Sequence, residues 1–137
     1  MPAVHLFLVK DGNILLLKRL NTGYEDGNYS VPAGHLDGDE KATTALLREA
    51  REEIGITLQE DLLCMVHVMH RKSDEERVDF FFEANQWQGE PANIETHKCG
   101  EIRWFPLNAL PHNTIPYARS AIGHYLHKVL YSEFGWS

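Results

Sequence analysis

The sequence is short of cysteine, of basic residues and of long apolar runs, and each shortage excludes something. Only two cysteines, Cys64 and Cys99, occur in 137 residues. That is too few for a disulfide framework or a zinc ribbon, and it suits a reducing compartment. No stretch approaches the ~18 consecutive apolar residues of a membrane span. Met1–Lys10 shows no basic segment and small-residue cleavage site of a secretory leader. The expected location is the cytoplasm, with no membrane partner. Thirteen Lys and Arg stand against twenty Asp and Glu, a net charge of −7. Broad electrostatic binding of duplex DNA needs the opposite balance and is not expected. An acidic chain that binds an anion must gather positive charge locally, from a few Lys or Arg, a helix N-terminus or a metal.

What is present is an ordinary globular composition, 43% hydrophobic and 24% charged. The length fits one domain over residues 1–137. Two apolar runs, Ala3–Val9 and Ile14–Leu20, flank Asp11-Gly12, a strong hairpin signal. Both are apolar almost continuously, so strands covered on both faces are expected. Asn21–Tyr29 carries Gly, Asn and Asp and reads as a loop, and Tyr29–Ala33 as a short strand. A helical pattern runs from Asp39 to Ile54, with Asp37 or Asp39 placed to cap its start and Gly55 at its end. Leu62–His70 and Val78–Ala84 read as a second strand pair joined by polar Arg71–Arg77. Gln86–Lys98 reads as a loop, Glu101–Phe105 as a strand and Tyr117–Tyr131 as a last helix, with Pro116 near its first turn. These elements predict an α/β fold, a mixed sheet between helices.

The helix over 39–54 is the informative segment. At about 100° per residue, Glu52 and Glu53 fall within about 60° of Glu49, and Thr43, Leu47, Ala50 and Ile54 cluster on a separate stripe with Leu46 at its edge. Three carboxylates this close repel one another, and partial burial sharpens the conflict. A hard divalent cation resolves it, since Mg²⁺ takes oxygen ligands and bridges carboxylates to substrate phosphates. A solvated acidic face is the plain alternative.

The surrounding residues favour the metal. Gly34 to Ile56 reads GHLDGDEKATTALLREAREEIGI: Gly34, Glu40, then Arg48-Glu49-Ala50, Glu52-Glu53, and Gly55-Ile56. This resembles the Nudix box at every fixed position, with Ala50 a small member of its aliphatic class. The hairpin, strand pairs and last helix resemble the rest of a Nudix domain, an α/β/α sandwich. The resemblance implies a hydrolase that cleaves a diphosphate bond in a nucleotide or another diphosphate, using Mg²⁺ or Mn²⁺. By position it implies Glu52 and Glu53 as metal ligands and Glu49 as a ligand or the base that activates water. It implies the Gly34 carbonyl as a further ligand, Arg48 as the residue that orients a carboxylate, and Glu40 as a helper that fixes the loop. Which carboxylate is the base stays open. A further acidic residue outside the box is expected in many members; Glu101 is the first choice and Glu95 the second. Homodimers are common in the family.

Substrate contacts are placed at the end of the hairpin and beside the box. Lys18 and Arg19 end the second strand and can grip a phosphate or simply cap the strand end. Tyr24 and Tyr29 can stack on a base. His35 follows Gly34 and is placed with them, whereas Phe80 and Phe82 are read as core. Eight histidines are present, but none is spaced as a zinc site. Markers for ADP-ribose and diadenosine-polyphosphate types, a Pro and a Tyr downstream of the box, are replaced here within Arg71–Ser73. A MutT-like (deoxy)nucleoside triphosphate pyrophosphohydrolase is left. The alternatives are hydrolysis of a nucleotide sugar, ADP-ribose or an RNA 5′ end, and a non-catalytic ligand-sensing module.

Overall fold

The computed structural model describes all residues, Met1–Ser137. The chain runs β1 (Pro2–Lys10), β2 (Asn13–Arg19), β3 (Tyr29–Ser30), β4 (Ala33–His35), α1 (Ala42–Ile54) and a single 3₁₀ turn at Glu60–Leu62. It continues through β5 (Cys64–Lys72), β6 (Glu76–Ala84), β7 (Cys99–Pro106), α2 (Pro116–Leu126) and β8 (Tyr131–Phe134). The β1–β2 turn has positive φ at Asp11 (53°) and Gly12 (79°), the pairing that a two-residue type I′ turn requires. No helix is long and apolar enough to cross a membrane.

β1 is the centre of the fold. It runs parallel to β6 and antiparallel to β4, and its end pairs with β2. β5 pairs antiparallel with β6 and parallel with β8, while β2 carries β3 and β7. The sheet is therefore mixed. Alternate β1 residues enter two cores. Val4, Leu6 and Leu8 pack with Ala45, Leu46, Ala50 and Ile54 of α1. Phe7 packs with Phe81, Ala118, Ala121 and Ile122 on the α2 side. Burial on both faces explains why the β1 sequence lacks an apolar–polar alternation. Phe82 is buried and Phe80 packs against the α1 core.

Several element boundaries differ from those expected; the strand read over Tyr29–Ala33 is two, β3 and β4, and β7 runs past Glu101–Phe105 at both ends. α1 begins at Ala42, and neither Asp37 nor Asp39 caps it; Lys41 occupies the N-cap without a side-chain bond. Asp39 instead takes a left-handed φ of 67°, and Glu40 closes the preceding turn by accepting the Asp37 N–H at 2.7 Å. β5 and β6 extend to Lys72 and from Glu76, so Arg71 and Arg77 are cross-strand partners rather than loop residues. The buried pairing of Arg71 with Asp79, described below, is what makes a strand of this polar stretch. α2 stops at Leu126, because Lys128 turns the chain at φ 58°. Tyr131–Phe134 then adds to the free edge of β5. Leu126 and Val129, at and beyond the helix end, are 44% and 39% exposed.

Candidate active site

α1 buries one stripe and turns the other to a cleft of about 1210 Å³, lined by Glu49, Glu52 and Glu53. Gly55, at φ 71°, ends the helix by donating its N–H to the Arg51 carbonyl, the role expected of a glycine there. Arg48 ties the acidic stripe together. Its Nη2 meets Glu40 Oε1 at 2.8 Å, and its Nη1 meets Glu49 Oε2 at 3.1 Å and Glu52 Oε1 at 3.3 Å. Nη2 also donates to the His35 carbonyl at 3.4 Å. The Arg48 hydrogen bond, then the Asp37 N–H, hold the Glu40 carboxyl below its ordinary range. A planar fork reaches several carboxylates at once in a way an ammonium does not.

Glu53 is in the opposite condition. Its Oε1 accepts the Ala33 N–H at 3.3 Å. Burial, followed by the hydrogen bond and charge of Glu49, pushes its carboxyl well above the ordinary range, and Glu95 adds to the effect. Gly34 lies against this pair, and a Cβ there would collide with the Glu49 carboxyl group. The atom displaced is the end of a flexible side chain, so the fold can yield while Glu49 cannot stay in place. Gly34→Ala is expected to keep the melting temperature within a few degrees and to lower kcat by roughly 10²-fold, as ångström-scale misplacement of a reacting group does. Thermal melts beside initial rates check it; unchanged kcat would show that Glu49 position is immaterial.

These residues fit a hard divalent cation. The donors are all oxygen, which suits Mg²⁺ or Mn²⁺ over softer metals. Glu49 and Glu53 crowd each other in a partly buried place, and a cation between carboxylates removes the repulsion that raises Glu53. No three acidic, His or Cys side chains already converge on one point, and Glu52 is drawn toward Arg48.

The cleft lining also carries Lys18, Arg19, Arg71, Arg77 and Lys98, among further carboxylates Asp37, Asp74, Glu75 and Glu95, so positive charge is gathered locally in a net acidic chain. Arg19 donates from Nε to the Tyr24 carbonyl at 2.7 Å, and its guanidinium lies 5.2 Å from the Tyr24 ring centre. Tyr24 lines the cleft and is 46% exposed. His35 also lines it, 3.3 Å from Arg77 Nη1. Tyr29 does not: it is buried, edge-on to Phe105 with ring centres 5.0 Å apart. Glu101 lies on β7 opposite Lys18, with its carboxylate against the Tyr29 hydroxyl and outside the cleft lining. Glu95 lines the cleft and acts on Glu53. The structure thus brings Gly34, His35, Glu49, Glu52, Glu53, Lys18, Arg19 and Tyr24 into one cleft and leaves Tyr29 and Glu101 out.

Sequence reasoning missed the cleft floor. There Asp79 is fully buried between His5 Nε2 at 2.9 Å and Arg71 Nε at 2.7 Å. The available signal was a lone carboxylate inside the apolar run Val78–Ala84, facing an arginine on the neighbouring strand.

Comparison with known proteins agrees with this geometry. The family model for the NUDIX domain matches residues 1–126. An 8-oxo-dGTP diphosphatase of Proteus vulgaris is 32% identical over 94 residues, 69% of this chain and 80% of that protein. An RNA pyrophosphohydrolase of Acidiphilium cryptum is 27% identical over 127 residues, 79% of this chain and 76% of its own length. The crystal structure of a MutT NUDIX hydrolase from Burkholderia pseudomallei superposes with a TM-score of 0.82 at 30% identity, covering 89% of this chain and 95% of that one. A mixed sheet between two helices, with a carboxylate-bearing helix along a cleft that also carries Lys and Arg side chains, is the frame of a diphosphate hydrolase. The chain belongs to the Nudix family and is a Nudix hydrolase.

Proposed function

We propose that this chain is a Mg²⁺-dependent pyrophosphohydrolase of (deoxy)nucleoside triphosphates, yielding a monophosphate and pyrophosphate. The observation that carries the reading is a single cleft lined both by Glu49, Glu52 and Glu53 of α1 and by Lys18, Arg19 and Lys98. Such a cleft suits a phosphate chain with bound cations. The relative named for 8-oxo-dGTP supports a nucleoside triphosphate. In this reading Glu52, Glu53, Glu49 and the Gly34 carbonyl would hold the ion. When bound, it supplies charge neutralisation at the phosphoryl oxygens and a more acidic water. Glu49 or Glu53 takes the proton of the attacking water, Arg48 fixes the carboxylates, and Lys18 and Arg19 hold the phosphate chain. Tyr24 covers the base or sugar. Glu95 is the further acidic residue that the cleft geometry favours over Glu101, and Tyr29 serves the core. The same reading includes a cytoplasmic location and a homodimer, the latter checked by light scattering.

The test is product release from a panel of canonical and oxidised dNTPs, ADP-ribose, a nucleotide sugar and triphosphorylated RNA. Each substrate is run with Mg²⁺, Mn²⁺ or EDTA. The expected result is metal-dependent pyrophosphate release from a nucleoside triphosphate, lost by roughly 10²–10⁴-fold in Glu52→Gln. Turnover confined to ADP-ribose, a nucleotide sugar or RNA would overturn the substrate assignment. Selective nucleotide binding without any turnover would point to a sensing module.

A further inference from the structure

Beyond the phosphate-facing wall, the cleft has a floor built around one buried carboxylate. Asp79 accepts His5 Nε2 at 2.9 Å, Arg71 Nε at 2.7 Å and Arg71 Nη2 at 3.3 Å. A carboxylate in that company stays ionised; its pKa is held at about 2, against the cost of burial, by the His5 and Arg71 hydrogen bonds. An ionised carboxylate only accepts, so the His5 ring proton sits on Nε2. Burial disfavours a second proton on the imidazole. His5 Nδ1 is therefore a bare acceptor with its orientation fixed.

That acceptor has no partner. His5 lines the cleft, its side chain is 3% exposed, and Nδ1 is one of only three buried side-chain nitrogen or oxygen atoms without a hydrogen bond. The ring is held in place by stacking on Phe81, with centres 4.5 Å apart. Buried polar atoms are nearly always paired, so an unpaired acceptor on a cleft-lining residue calls for a donor from outside the chain, a water or a ligand. Beside it, Arg71 lies 3.8 Å above the Tyr117 ring, with Nε and Nη2 on Asp79. Its Nη1 carries no hydrogen bond, and the two side chains meet at Asp79 Oδ1, which takes His5 Nε2 and Arg71 Nη2.

We infer that His5 and Arg71, aligned by Asp79, read the lactam edge of a nucleobase, an N–H beside a carbonyl. The inference rests on the nucleotide reading above and adds the class of base. The guanidinium meets the carbonyl oxygen, which holds more charge and a second lone pair than a ring nitrogen. His5 Nδ1 accepts the N–H. Guanine, thymine and uracil carry this edge. Adenine carries no carbonyl, and cytosine has no N–H beside its carbonyl. Oxidation of guanine at C8 creates a second such edge, N7–H beside C8=O, in place of an acceptor-only N7. A wrong edge leaves buried polar groups unpaired, which is the strongest form of base discrimination a pocket has.

The experiment uses the whole protein in EDTA, so that no metal or turnover is needed. Binding of dGMP, 8-oxo-dGMP, dTMP, dAMP, dCMP and N1-methyl-dGMP is titrated by NMR with ¹⁵N-labelled histidine. Expected are at least tenfold tighter binding of the lactam bases than of dAMP and dCMP, a tenfold loss on N1-methylation, and a shift of the His5 Nδ1 resonance on binding. His5→Phe, which keeps the stacked ring, is expected to reduce the preference below threefold. The titration of unsubstituted protein stands alone if that variant fails to fold. Equal binding of all bases, or selective binding that leaves the Nδ1 resonance unmoved, overturns the inference. If triphosphates are still hydrolysed, the proposed function survives that result. Selective binding with no triphosphate turnover overturns the function and keeps the base-reading floor. Neither binding nor turnover overturns both.

Discussion

Glu53→Gln is expected to abolish most of the hydrolase activity while making the metal-free protein more stable. The two effects have one cause. Glu53 is a partly buried carboxylate pressed against Glu49, with Glu95 adding further negative charge. Without a cation, burial and like charge both oppose its ionised form. The amide keeps the shape and can still accept the Ala33 N–H, which reaches Oε1 at 3.3 Å in the acid. Removing the charge is worth about 1 kcal/mol in EDTA, which for a chain of this size raises the melting temperature by roughly 3–5 °C. Saturating Mg²⁺ reverses the order, because ligand binding to the native state stabilises only the protein that binds it. Activity falls by roughly 10²–10⁴-fold, the span associated with losing one positioned proton acceptor. Melting curves with and without Mg²⁺, beside initial rates, check all three statements. A lower melting temperature in EDTA would show that Glu53 is a structural anchor.

Asp79→Asn is expected to have the largest effect on stability of any single isosteric change. Asp79 is fully buried and carries both Arg71 and His5. Its removal leaves the Arg71 guanidinium buried without a counter-charge, which costs roughly 3–5 kcal/mol. The melting temperature drops by about 10–20 °C on the same conversion. The acid limb of stability changes with it. The Asp79 carboxyl is lowered from 3.8 to about 2 in the folded protein. Its contribution of ~2 kcal/mol is therefore complete above pH 3.8 and disappears as pH falls toward 2. His5 is also lowered, by burial. The unfolded chain thus takes up that proton first, and stability begins to fall once pH drops below 6.5. Wild-type stability is expected to decline in these two windows, and the Asn variant to lose the lower one. Urea unfolding from pH 7 to pH 2 separates them. A cost below 1 kcal/mol, or an unchanged decline between pH 4 and pH 2, would show that water and not Arg71 balances Asp79.

The parts of this fold that were legible in the sequence are those fixed by local chemistry. Asp11-Gly12 dictates the β1–β2 turn because both residues must take positive φ. The carboxylate helix follows from its apolar stripe and its terminal glycine. What stayed hidden depends on partners far along the chain. β8 is a strand because β5 offers a free edge, and because His67 holds the Val129 carbonyl and the Ser132 hydroxyl, each at 2.7 Å. Read locally, Tyr131 continues a helix. The choice between Glu95 and Glu101 has the same character. Strand alternation sends Glu101 toward Tyr29, whereas Glu95 reaches the cleft through the path of an irregular loop. Arg71 looks like a loop residue until Asp79 is placed beside it.

The position of β1 sets how this protein fails. Val4 faces Gly34 across one ladder, and Ala3 faces Asp79 across the other. One strand therefore aligns the carboxylate wall and the polar floor at the same time. A slip of one residue would rotate His5 into the α1 core, bring Leu6 to the floor and move Gly34 away from Glu49. Both halves of the cleft are lost in a single step, with no half-built enzyme of weak affinity between. A refolded sample showing half the specific activity is thus a mixture of working and dead molecules. Its kcat per sample is halved and its KM is that of the intact protein.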